Sequence, residues 1–216
     1  MRAPAAAVVL LLATGCAAGS TAPQAVRGST PRPLPPSTTS SPTPSSQVAP
    51  GGGQVAVPAE RNPPGDIPDN VAYVPYRNAT GRYVFTHPEG WSEATRGGRV
   101  TFTDKLNGVQ VEPATGASAP TTALAASQDV PTLARSEAAF ELRTVTAVSL
   151  PGGKGVRIVY RRNSAADPVT GRQYRDEVER YELVAGGREI VVELFGPVGS
   201  DNVDAYRTMI TSLRRT

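Results

Sequence analysis

The stretches ELRTVTAVSL (Glu141–Leu150), GVRIVYRR (Gly155–Arg162), QYRDEVERYELV (Gln173–Val184) and REIVVELF (Arg188–Phe195) decide the fold. In each, apolar and polar residues tend to alternate and β-branched residues are frequent, the pattern of strands in a sheet. Their connections are Pro151-Gly152-Gly153, a polar loop ending in DPVTG (Asp167–Gly171), and Gly186-Gly187. Such links turn a chain back on itself, whereas a parallel neighbour requires a crossover of roughly a dozen residues or more. An antiparallel meander is therefore expected.

Upstream, Arg82–His87 (RYVFTH) reads as a strand ended by Pro88-Glu89-Gly90, and Trp91 opens a short following strand. Gly97-Gly98 turns the chain into Arg99–Asp104 (RVTFTD), where Val100 and Phe102 share one face. Asn107-Gly108 is a hairpin-turn dipeptide, with Val109–Val111 returning from it. Thr121–Gln128 and Pro131–Ala139 read as helices separated by a break at Asp129-Val130-Pro131, where a fresh helix starts. Downstream of Gly196-Pro197, Ser200–Asp204 should cap a closing helix. Its apolar stripe is Val203, Tyr206, Ile210 and Leu213. The sum is one α+β domain over residues 66–216, which also hold every aromatic residue.

Before that domain the composition changes. Residues 17–65 contain eleven prolines, many Ser, Thr and Gly, and no Phe, Tyr or Trp. Such a segment buries too little apolar surface to offset chain entropy, so residues 16–65 are expected to form a disordered tether. Residues 1–15 have the features of a lipoprotein signal peptide: Arg2, an apolar run from Ala3 to Ala13, then Thr14 and Gly15 ahead of Cys16. The run is shorter than the roughly 20 apolar residues that span a bilayer. It resembles a bacterial lipoprotein signal, with Leu12 one place further from the cysteine than the usual lipobox leucine. That resemblance implies cleavage after Gly15, a diacylglyceryl group on Cys16, and an extracytoplasmic, membrane-anchored protein. Cys16 is the chain's single cysteine, so no disulfide or thiolate chemistry is expected of the domain.

The sequence pI of about 9.2 is no sign of a nucleic-acid partner. From Arg61 onward there are 19 basic and 18 acidic residues, a near balance, whereas nucleic-acid binding calls for a local basic excess.

The order of elements, with YVFTHPEGW (Tyr83–Trp91) early and VDAYRTMITSLR (Val203–Arg214) last, resembles the PsbP-like fold. Extrinsic photosystem proteins and actinobacterial lipoproteins of the LpqN type share that fold. The resemblance covers roughly Tyr73 to Arg214. It implies an α-β-α sandwich built on an antiparallel sheet, acting as a binding or accessory module, and it brings no catalytic residues.

The residues were also weighed for chemistry. His87 is the single histidine and precedes Pro88 at a strand end, where a structural imidazole is the better reading. PGGKGV (Pro151–Val156) lacks the Ser or Thr and the helix of a phosphate loop, so it reads as a hairpin turn. Asp176, Glu177, Glu179 and Glu182 invite a carboxylate pair or a calcium site. Glu177 and Glu179, however, share a face, as do Arg157 and Arg161, so a cross-strand charge ladder is expected. Those four form the possible recognition face. Asp201 and Asp204 suit a helix start better than a calcium site. Trp91 and Phe102 are assigned to the core before a pocket. Asn78-Ala79-Thr80 is a glycosylation sequon without its eukaryotic pathway. No cofactor or metal is expected. The favoured reading is a monomeric, non-enzymatic envelope module that binds a protein, lipid or glycan; the alternative is a hydrolase or transferase using strand carboxylates.

Overall fold

The computed structural model describes residues 53–60, 65–116 and 118–216. The expected signal peptide, Cys16 and the tether up to residue 52 lie outside the described residues.

Among the described residues ten strands fall into two antiparallel sheets. β1 (Tyr73–Asn78), β2 (Tyr83–Pro88) and β10 (Arg214–Arg215) make a small sheet of order β1-β2-β10. β3 (Ser92–Arg96), β4 (Arg99–Asp104), β5 (Asn107–Ala114), β6 (Glu141–Leu150), β7 (Gly153–Asn163), β8 (Arg175–Ala185) and β9 (Arg188–Pro197) make the large one, ordered β3-β4-β5-β9-β8-β7-β6. The meander β6–β9 follows the sequence reading. Its β8–β9 turn is Gly186-Gly187, with φ of +58° and +69°, a left-handed geometry that glycine adopts without strain.

Strand alternation gives the large sheet two apolar faces. On one, Val109, Val111, Tyr181, Leu183, Ile190, Val192 and Leu194 pack with the small sheet and with α3 (Val203–Ser212). On the other, Val156, Ile158, Tyr160 and Val178 receive Ala125 and Leu133 from the helical segment between β5 and β6. The result is an α+β domain with helices on both faces of an antiparallel sheet, as expected. Tyr76, Phe85, His87 and Phe102 form an aromatic cluster between the two sheets. His87 stacks on Phe102 with centroids 3.8 Å apart.

Several local expectations need correction. The helical segment has no break: α1 (Thr122–Leu124) runs through a π-helical turn (Ala125–Asp129) into α2 (Val130–Ser136). Pro131 follows directly on the π-helical turn, at the second residue of α2. The β4–β5 hairpin turns at Lys105-Leu106, because Asp104 pairs with Asn107. Asn107 is instead a buried polar residue, and the Phe195 ring occupies the space over Gly108 where a side chain would stand. In α3 the buried residues are Ala205, Tyr206, Met209 and Ile210, whereas Val203 is 58% exposed. Asn202, not Ser200, precedes the helix, and its side chain is engaged elsewhere.

Residues 53–60, assigned to the tether by composition, lie against the domain. The Asn163 side chain accepts from the Val57 amide at 3.0 Å and donates to the Val55 carbonyl at 2.9 Å, in the manner of a neighbouring strand. Glu60 pairs with Arg172. Composition reports that a segment lacks its own core; it does not report an amide offered by a distant residue.

Candidate functional site

Two surfaces merit attention: the charged face foreseen in the sequence, and a cleft beside Trp91.

The four residues expected to form a recognition face make a cross-strand charge ladder. Arg157 donates from both Nε and Nη2 to Glu179, and Arg161 Nε donates to Glu177 at 3.0 Å. Tyr181 OH adds a 2.6 Å bond to Glu179. Burial opposes the charge of Arg157, but Glu179 outweighs it and the guanidinium is held more firmly protonated than usual. Arg161 and Glu177 are direct cross-strand partners, while Arg157 reaches diagonally past Tyr181. Pairs of this kind contribute about 0.2–1 kcal/mol each. All four groups thus already satisfy one another.

Asp176, the third carboxylate of the alternative reading, points to the opposite face. It is 4% exposed, and burial pushes its pKa up to about 7, against the pull of Arg162 and Arg175. Strand alternation therefore separates it from Glu177 and Glu179, and the three do not converge on one cleft. On its face lies a charged network that the sequence reading missed. Arg180 bridges Glu182 and Glu193, at 2.7 Å each. Arg162 holds Glu137 at 2.9 Å, and Tyr160 OH donates to Glu193 at 3.3 Å. Polar residues at core-facing positions of β7, β8 and β9 were its available signal. Buried and mutually paired, these groups fix strand partners rather than present chemistry.

His87 is structural. Its Nδ1 lies 2.9 Å from the Pro88 carbonyl oxygen, and burial lowers its pKa against the pull of that bond and of Glu93. Asp204 pairs with Arg207, and Asp201 offers its amide to Asp66. Among the described residues no three His, Cys, Asp or Glu side chains gather as metal ligands.

The second surface is a cavity of about 600 Å³. Three backbone segments meet around it: residues 65–71, the β2–β3 turn Glu89-Gly90-Trp91, and the β4–β5 turn with Asp104 and Lys105. Gly90 at φ +83° and Lys105 at φ +51° give the two turns their shape. The Glu89 amide bonds the Ala72 carbonyl at 2.8 Å and closes one side. The other wall is clamped by two buried asparagines. Asn107 Nδ2 donates to Gly65 O at 2.6 Å, and Asn202 Nδ2 donates to Asn107 Oδ1 at 2.9 Å. Asn202 Oδ1 accepts from the Ile67 amide at 2.8 Å. Trp91, expected in the core, is half-buried: it packs against the core and also lines the cavity. The charged lining residues are Asp66, Glu89, Asp104 and Lys105, an excess of negative charge. A half-buried indole beside carboxylates suits a ligand with an apolar surface and hydroxyl or ammonium donors.

No protein-family model matches the chain, and comparison with characterised sequences returns no relative. Among solved structures, the chain is similar to cyanobacterial PsbP (CyanoP) from Synechocystis sp. PCC 6803. The TM-score is 0.48 at 17% identity, over 71% of this chain and 99% of that one. It is similar also to the Ran-binding protein Mog1p of Saccharomyces cerevisiae, with TM-score 0.42, 9% identity, 68% of this chain and 96% of that one. LpqN of Mycobacterium tuberculosis, described as involved in cell envelope biogenesis, gives TM-score 0.33 at 12% identity over 76% and 88%. At these identities the likeness is one of fold. Both groups to which the sequence was likened, PsbP and LpqN, are among these neighbours.

Proposed function

We propose that this chain is a lipid-anchored, extracytoplasmic binding or accessory protein of the cell envelope, and that it acts without catalysis. The leader ending at Cys16 supports the anchor, and residues 17–52 supply reach. Among the described residues no helix is long and apolar enough to cross a membrane. The observation that carries the binding role is the Trp91 cleft, held open by the Asn107–Asn202 clamp. The ligand it suits is neutral or cationic, since three carboxylates outnumber Lys105 at its wall. The ladder Arg157, Arg161, Glu177, Glu179 serves as a flanking recognition surface for a protein partner. The hydrolase or transferase reading draws no support from carboxylates that are paired with arginine or split between two faces.

Trp91 is the chain's single tryptophan, so its emission reports this cleft alone. Titration with neutral oligosaccharides and with short lysine peptides should shift that emission saturably for at least one class, and Trp91→Ala should abolish the binding. A photoreactive side chain at position 91 should capture the partner in cells. Emission unmoved by either class, with capture that depends on the tether and not on the domain, would overturn the cleft. Cys16→Ser should release the protein from membranes or leave the precursor uncleaved; unchanged membrane association would overturn the anchor.

A further inference from the structure

A third feature lies at the other end of β2 from Trp91, roughly 20 Å away by the rise of a six-residue strand. A cavity of about 220 Å³ is lined by Arg82, Ala185, Gly186, Arg188, Arg215 and Thr216. Three different parts of the fold supply the arginines. Arg82 stands in the β1–β2 turn at φ +55°, Arg188 opens β9 just past the Gly186-Gly187 turn, and Arg215 sits on β10 opposite Tyr83. The Thr216 amide donates to Arg82 O at 3.0 Å, and Arg82 Nε donates to Thr216 O at 3.2 Å, which draws β10 to the turn.

Among the described residues none of the three guanidinium groups pairs with an Asp or Glu side chain, although Arg82 Nε is spent on Thr216 O. Arg77, Arg96, Arg135 and Arg214 also form no such pair, so what sets these three apart is that they line one cavity. Moreover, Arg215 Nη1 is the one buried side-chain nitrogen or oxygen among the described residues without a hydrogen-bond partner. A buried donor left unpaired on a charged group is costly, and such groups ordinarily find an acceptor. Burial first, and then the charges of Arg188 and Arg82, depress the Arg215 pKa. Gly186 has open space where a side chain would stand, so nothing closes the entrance there.

We infer that Arg82, Arg188 and Arg215 form an anion site for a phosphate group. Guanidinium forks arriving from three elements match an anion with acceptor oxygens on several sides. A planar carboxylate, with two oxygens, would use fewer of those donors. The phosphate has two possible sources, the headgroup of an anionic phospholipid or a soluble phosphate compound. This site is independent of the Trp91 cleft, whose excess of carboxylates would repel the same ligand.

Every described contact lies between residues 53 and 216, so the chain from residue 16 onward, carrying Cys16→Ser, keeps them all without an acyl chain. Calorimetric titration with inorganic phosphate should show saturable binding that weakens as sodium chloride is raised, with a matching rise in melting temperature. Arg188→Gln with Arg215→Gln should weaken it at least tenfold, while Arg143→Gln on β6 should not. Arg188 is exposed, so Arg188→Gln alone retains the fold and should still weaken binding should the double variant fail to fold. Co-sedimentation with phosphatidylcholine vesicles, with and without phosphatidylglycerol, separates the sources. Retention by phosphatidylglycerol that Arg188→Gln relieves assigns the lipid headgroup; phosphate binding without such retention assigns a soluble phosphate. Binding of neither probe, or binding untouched by the arginine variants with circular dichroism unchanged, would overturn the inference.

Discussion

Replacing Asn202 by alanine tests whether the cleft wall is clamped as described. The Asn202 side chain accepts from the Ile67 amide at 2.8 Å and donates to Gly65 O at 3.1 Å and Asn107 Oδ1 at 2.9 Å. In the variant Gly65 O keeps its bond from Asn107 Nδ2, but the Ile67 amide and Asn107 Oδ1 lose their partners. Each buried group left unsatisfied costs about 1–3 kcal/mol, so a loss of about 3 kcal/mol is expected. For a domain of this size that lowers the melting temperature by about 6–12 °C. Residues 65–67 should also loosen, and acrylamide should quench Trp91 more strongly than in the parent. Asn202→Asp keeps the acceptor for Ile67 but turns a carboxylate toward two oxygens, so at neutral pH it should be no better than alanine. A loss below about 1 kcal/mol, with Trp91 quenching unchanged, would refute the clamp.

Ile210→Ala should cost about 2–5 kcal/mol in denaturant unfolding, whereas Val203→Ala, at an exposed position of the same helix, should stay within about 0.5 kcal/mol; equal effects would mean α3 docks differently. Asp176 has a folded-state pKa near 7, above the unfolded value of about 3.9, so the folded state binds the extra proton and Asp176 costs stability progressively as pH rises between those values. Asp176→Asn should therefore melt higher than the parent at pH 8, with the gap closing near pH 4; a gap independent of pH would remove Asp176 as its source. Glu177→Gln combined with Glu179→Gln should leave the fold intact and lower stability by no more than about 2 kcal/mol, since the two pairs are partly solvated. A much larger loss in thermal melts would show the ladder to be structural.

Much of the fold was legible because strand alternation and glycine turns are local signals. The meander from Glu141 to Phe195, the Gly186-Gly187 turn and the Arg157/Arg161–Glu177/Glu179 ladder need nothing beyond neighbouring strands. β1 was overlooked because Pro75 interrupts its pattern, yet it is an edge strand of the small sheet, where a missing N–H is tolerated. The turn at Asn107-Gly108 was misplaced because that dipeptide favours a hairpin, while the folded chain uses the Asn107 amide to hold Gly65 and leaves Gly108 bare beneath Phe195. Tertiary packing overrode local preference there.

What the sequence determined alone was therefore the class of domain, the antiparallel meander and the pairing of charges across its strands. Only the tertiary structure decided which distant residues meet. Gly65, Asn107 and Asn202 form one wall of the Trp91 cleft across separations of 42 and 95 residues. Arg82, Arg188 and Arg215 face one cavity from a turn and two strands. The reason is physical: period and turn chemistry act over a few neighbouring residues, whereas a cleft or an anion site is made where burial brings together groups that the chain keeps far apart.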